Sequence, residues 1–174
     1  GEAQARRTSL AISLGTSVAV GLLKDGDLPP YPLYGSHLIL SLGKAPWSAH
    51  DTTGILGVAQ KGPTQKGLMA MAGPEGPFPK RWSEVDAHYP RLKGGALNKA
   101  RVSHLLAEGH GDEPLFQAMG EALGDLVAEV AHCLPWSPSD GPIWLYGRLL
   151  AGPGGGAILG VAEAEIGDVY PDLA

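Results

Sequence analysis

Between Leu115 and Leu134 apolar residues return at steps of three or four: Leu115, Met119, Leu123, Leu126, Val130, Leu134. That is the period of one helix face, and it predicts a helix over about Glu113–Leu134. Asp112 is placed to cap its first free amides, Pro114 suits the first turn, and Pro135 ends it. Ala118, Ala122 and Gly124 would let a neighbouring element approach closely. A shorter helical pattern covers Asn98–Glu108, with Val102, Leu105 and Leu106 on one side and Gly109 after its end. Ser83-Glu84-Val85-Asp86 has the composition of a helix start, which Pro90 stops. Ala157–Ala164 reads as a helix of small residues.

The first part of the chain has a different pattern. Two apolar runs, Thr8–Leu14 and Val18–Leu23, flank Gly15-Thr16-Ser17, and a Lys24–Asp27 turn follows. They predict a β-hairpin. Ser36–Leu42 alternates and predicts a third strand of an antiparallel meander. The three prolines within Leu28–Tyr34 make that stretch extended and irregular. Thr53–Ala59 and Gly67–Met71 suit helix and strand equally. Gly73–Pro79, with three Pro and two Gly, is a loop. Pro142–Tyr146 reads as a compact buried strand, followed by Gly147 and a glycine loop, Gly152–Gly156. The order predicts an α/β fold: a mixed sheet with an N-terminal antiparallel hairpin or meander and flanking helices, residues 1–174 forming one domain.

Composition narrows the function. Of the 174 residues 44% are hydrophobic and 18% charged, which is the balance of a folded domain. A net charge of -5 argues against nucleic acid or an anionic membrane as partner, since both require a basic surface. No run reaches the roughly 20 apolar residues of a membrane-spanning helix. Gly1–Arg7 has no signal-peptide core, and the chain does not open on Met. Cys133 is the only cysteine, so no intrachain disulfide can form; a reducing, cytoplasmic setting is compatible with this.

The residue types that carry chemistry are sparse. The hairpin tip Gly15-Thr16-Ser17 can gather backbone amides and two hydroxyls around an anion such as a phosphate; an ordinary hairpin corner has the same composition. Gly147, Gly152, Gly154, Gly155 and Gly156 could admit a nucleotide closely against backbone, or form a flexible surface loop. His50-Asp51 suits a surface loop better than a base with its orienting partner. His104 and His110, six apart and with no carboxylate at ligand spacing, make a poor metal site, and none is expected. His132-Cys133 could form a nucleophilic pair, but a small buried thiol beside a histidine that complements the helix dipole fits better. Trp47, Trp82, Trp136 and Trp144 suit core or interface anchoring better than base stacking.

Taken in order, these features resemble the C-terminal half of an actin-like ATPase-fold (ribonuclease H-like) sugar kinase. Ser13-Leu14-Gly15-Thr16-Ser17 is similar to the phosphate-binding hairpin of the FGGY carbohydrate kinases. Gly156–Ala162 with Val169–Leu173 is similar to that family's last helix and turn. The ROK sugar kinases are similar over the hairpin and the Leu115–Leu134 helix. The resemblance covers about half of the chain and omits Trp47–Arg101. It implies ATP and Mg²⁺ as cofactors, a sugar as phosphoryl acceptor, phosphate contacts from Gly15, Thr16 and Ser17, and nucleotide contacts from Gly147, Gly152, Gly154, Gly155 and Gly156. In that family the catalytic Asp precedes the hairpin, so the catalytic base would come from outside this chain, in a complementary N-terminal half. The Cys-rich metal motif of many ROK kinases is absent, and the segment from Tyr146 to Gly154 is shorter than an FGGY adenosine loop. The competing reading is a non-catalytic assembly or interaction module, a homo-oligomer that keeps the fold without the activity. A small hydrolase using His50 or Cys133 has no supporting constellation.

Overall fold

In a computed structural model the described residues are 9–15, 18–23, 33–34, 62–109, 113–134 and 136–173. Strands β1 (Ser9–Leu14) and β2 (Val18–Leu23) form the hairpin, antiparallel, with Leu14 opposite Val18 and Ser9 opposite Leu23. A two-residue β3 (Leu33–Tyr34) pairs with β2 inside the stretch read as irregular. The expected strand Ser36–Leu42, the segment Thr53–Ala59 and the turn Lys24–Asp27 lie outside the described residues. Strand β4 (Ile143–Tyr146) runs parallel to β1, giving the order β3-β2-β1-β4. The sheet is therefore mixed.

Alternation decides which face is buried. Leu10, Ile12 and Leu14 of β1 and Val18 and Val20 of β2 point into the core. The expected buried strand Pro142–Tyr146 is corrected: β4 lies at the sheet edge. Ile143 and Leu145 are half-buried, while Trp144 and Tyr146 are 60% and 55% exposed.

The helices cover the inner face. They are α1 (Gln65–Met71), α2 (Ser83–His88), α3 (Gly94–Glu108), α4 (Pro114–Cys133) and α5 (Gly152–Val169). Helix α1 resolves the ambiguity at Gly67–Met71. Its cap is Thr64, fully buried, whose Oγ1 accepts from the Gly67 amide at 3.0 Å. Helix α3 begins four residues earlier than the pattern implied, at Gly94. Asp112 lies outside the described residues; the position before α4 is Glu113, whose side chain makes no capping bond, although it is ion-paired with Lys80.

Helix α4 is the centre of the core. Leu115, Met119, Leu123 and Leu126 are fully buried and Val130 nearly so, while Leu134 is half-buried. Its main neighbour is α5, and glycines set that approach. A Cβ on Gly120 would stand 2.4 Å from Val161 Cβ, and one on Gly124 would stand 2.9 Å from Glu165 Cγ. Of the small residues anticipated on this helix Gly124 stands at the seam, together with Gly120, which the pattern did not single out. The seam also holds Asp125, fully buried, which accepts a 2.6 Å hydrogen bond from the Tyr170 hydroxyl just past the end of α5. Burial and that bond together raise the Tyr170 pKa above the ordinary tyrosine value.

Candidate functional site

Parallel pairing brings together two glycine positions that are far apart in sequence. β1 ends at Leu14-Gly15 and β4 ends at Tyr146-Gly147, at the same edge of the sheet. The contact is direct: a Cβ on Gly147 would stand 2.1 Å from the Leu14 carbonyl oxygen. Gly147 has φ 133°, a conformation that side chains resist, so glycine is required there twice over. Helix α1 meets the same edge, because the Gln65 amide donates to the Gly15 carbonyl at 2.9 Å. Open sheets bind ligands beyond the carboxyl ends of their parallel strands, and this edge has that geometry. Thr16 and Ser17 lie outside the described residues.

The expected glycine loop is corrected to the first turn of α5, entered through a 3-10 turn at Arg148–Leu150. Protein fills most of the space around it. A Cβ on Gly152 would stand 2.7 Å from the Leu106 carbonyl oxygen, one on Gly154 2.9 Å from Leu106 Cα and Phe116, and one on Gly155 2.2 Å from the Leu150 backbone. Gly154 and Gly155 are buried. Gly156 differs: among the described residues nothing stands within 4 Å of where its Cβ would be. The start of α5 therefore abuts the last turn of α3.

Two hollows flank this region. One, about 250 Å³, lies among α2, α3 and the start of α4, with Trp82, His104, Glu108 and the Lys80–Glu113 ion pair in its lining. The Trp82 indole donates to the Ala72 carbonyl at 3.2 Å and carries the Arg101 guanidinium 5.2 Å from its ring centre. Arg101 grips Asp86 through two hydrogen bonds of 2.8 and 2.6 Å, and holds that carboxyl below its usual pKa. The other hollow, about 310 Å³, is a groove between α1 and α3.

The remaining candidate residues separate. His104 pairs with Glu108 one turn on, at 3.1 Å, so a carboxylate does stand within its reach; His110 lies outside the described residues. His132, in the last turn of α4, meets Asp172 at 3.1 Å, and this contact lowers the Asp172 pKa. The thiol expected to be buried is not: Cys133 is exposed. Trp136 packs at the rim of the core, and Trp47, His50 and Asp51 lie outside the described residues. Among the described residues no three His, Cys, Asp or Glu side chains gather where they could hold a metal ion, and no helix is long and apolar enough to cross a membrane. Asp125 and Gln65 escaped the sequence reading. The sequence carried no clear signal for Asp125, one of three carboxylates four residues apart in this helix, with Glu121 and Glu129. Gln65 carried none, since its role comes from a contact with a strand far back in the chain.

No protein-family model matches the sequence, and no curated protein matches it. Solved structures do match in fold. A ROK hexokinase from Thermus thermophilus aligns with 96% of this chain and 50% of its own, at TM-score 0.53 and 18% identity. A ROK family glucokinase from Streptomyces griseus, solved with glucose and AMPPNP, aligns over 95% of this chain and 52% of its own, at TM-score 0.53 and 16% identity. A ROK family protein from Streptococcus pneumoniae TIGR4, solved with sucrose, gives 95%, 50%, 0.53 and 10%. The chain spans about half the length of these structures. At such identities the likeness is one of fold: the mixed α/β arrangement is similar to that of about half of each of these ROK structures, which have the actin-like ATPase fold.

Proposed function

We propose that this chain is a nucleotide-binding lobe of an ATP-dependent sugar kinase, in which Gly15, Thr16 and Ser17 hold phosphate oxygens and the catalytic base comes from outside the chain. The observation that carries the reading is the convergence of Gly15, Gly147 and Gln65 at the carboxyl ends of the parallel strands β1 and β4. Phosphoryl transfer depends mainly on positioned phosphates and a metal that neutralises charge. A hairpin tip of glycine and two hydroxyl residues supplies the first of these needs, and Mg²⁺ bound with ATP would supply the second. The sugar acceptor and the ROK-like setting are carried over from the kinases of similar fold.

Titration calorimetry with MgATP tests the reading. The parent chain should bind, and a Thr16→Ala, Ser17→Ala variant should bind markedly less. A parent that takes up no nucleotide removes the proposal.

One observation favours the second reading, a non-catalytic module. Gly154 and Gly155, where a nucleotide would approach backbone, are covered by Leu106, Phe116 and Leu150. A stable oligomer without nucleotide affinity, measured by light scattering after size exclusion, would establish that alternative.

A further inference from the structure

We infer that the edge of β4 pairs with the same edge of a second copy of this chain, antiparallel about a two-fold axis at Trp144. The inference is independent of what binds at the strand ends, and its test uses no nucleotide.

Edge strands are usually guarded by charge, by proline or by a covering element, because their unpaired backbone groups invite another strand. The sequence of β4, Ile-Trp-Leu-Tyr, contains no charge and no proline, and among the described residues its only strand partner is β1. Trp144 and Tyr146 share the outer face and are largely exposed. Pro142, also exposed, falls on that face by alternation.

The backbone sets the register. The ladder places Ile143 beside Leu10 and Leu145 beside Ile12, and the Leu10 amide donates to the Pro142 carbonyl. In a parallel ladder alternate residues turn their amide and carbonyl to opposite sides. Trp144 therefore spends its groups on β1, and Ile143 and Leu145 present theirs outward. An antiparallel partner that satisfies both within the strand sets Ile143 opposite the partner's Leu145, and Leu145 opposite the partner's Ile143. That register puts Trp144 opposite its own counterpart, in the closer, non-hydrogen-bonded kind of pair where aromatic side chains contribute most. Tyr146 then faces the partner's Pro142.

Charge agrees with this register. Asp140 and Arg148 are both exposed and each lies four residues from Trp144, on opposite sides. The Asp140 carboxylate is fixed just before the strand by the Ser137 amide, which donates to it at 2.7 Å. Among the described residues Arg148 forms no ion pair. A two-fold axis at Trp144 brings Arg148 toward the partner's Asp140 on both sides, whereas a shift of one residue in either direction separates them. Such reciprocity is what an interface between identical surfaces requires, and it points to a second copy as the occupant. So short a strand pair buries less than a standard interface, so the dimer is transient, with a dissociation constant on the order of 10–100 µM.

Sedimentation equilibrium of the 174-residue chain, from about 5 to about 500 µM, spans that constant. The mass should rise from 18.0 kDa toward twice that value, and amide exchange at Ile143 and Leu145 should slow as concentration rises. Trp144→Lys, at an exposed position and shown by thermal melting to be folded, should weaken association about tenfold or more. Arg148→Asp and Asp140→Arg should each weaken it alone, and an equimolar mixture of the two should recover it, because each then meets its opposite charge. A parent that stays at monomer mass at the highest concentration overturns the proposal and leaves the edge to a different chain. A Trp144→Lys variant that dimerises like the parent overturns β4 as the interface, and a mixture that associates no better than its components overturns the two-fold register.

Discussion

Two helix pairs in this molecule meet in opposite ways. At the α4–α5 seam, Gly120 and Gly124 let the backbones close until Val161 and Glu165 fill the space a side chain would need. Between α1 and α3 long polar residues, Gln65, Lys66, Asn98 and Lys99, line the contact beside Met69, Gly95 and Val102, and a groove of about 310 Å³ stays open. Both contacts are made by helices. The size and polarity of the contact residues determine whether a helix pair becomes core or an open site, because small apolar residues permit close packing and long hydrated ones prevent it.

The largest expected effect lies in the seam. Gly120→Leu forces a side chain against Val161 and the Ile158 carbonyl, and should cost more than about 4 kcal/mol, seen as loss of a cooperative melt. If the variant melts like the parent, the seam is not closely packed. Leu123→Ala, on the same helix and fully buried, should cost about 2–5 kcal/mol in chemical denaturation; a change near zero would remove α4 from the core. Tyr170→Phe deletes the hydroxyl that donates to buried Asp125 and should cost about 1–3 kcal/mol.

The groove should respond in the opposite direction. Gly95→Ala meets no neighbour and replaces a flexible residue within a helix, so it should raise stability by about 0.5–1 kcal/mol. A destabilised Gly95→Ala would mean that α1 and α3 close on each other as tightly as α4 and α5 do.

The pH dependence should differ between the two regions as well. The Tyr170 pKa is raised in the folded chain, so its contribution is complete below the ordinary tyrosine value of about 10 and is lost as pH rises through the folded value. Spectrophotometric titration should find a phenol ionising above the ordinary tyrosine value, and Tyr170→Phe should remove that late step. Asp86, near α3, behaves with the opposite sign. Arg101 lowers its pKa, so the contribution of that pair is present above the ordinary aspartate value and disappears as pH falls through the folded one. Arg101→Gln should bring the Asp86 carboxyl titration, followed by NMR, back toward that value.

How much of this is legible in the sequence varies from element to element. The α4 stripe is readable because a helix that buries one face must repeat apolar residues at its own period. The hairpin is readable because two apolar runs flank a short polar turn. The short α1 is not, since seven residues carry too little period to separate helix from strand, and a tertiary bond to Gly15 helps hold its start. The exposure of Cys133 is hidden as well, because the stripe does not say where the last turn of α4 leaves the core.

The glycines mark the limit most clearly. Sequence alone determined that the backbone at Gly147 and Gly152–Gly156 could come close to something, since local steric freedom belongs to the residue itself. What it comes close to is a matter of three dimensions. Parallel pairing of β1 with β4 set Gly147 against the Leu14 carbonyl, and the docking of α5 on α3 set Gly154 and Gly155 against Leu106, Phe116 and Leu150. The fold class followed from periodicity and order along the chain. The open groove and the burial of Gly154 and Gly155 were decided only by the tertiary structure, because they depend on contacts between residues distant in sequence.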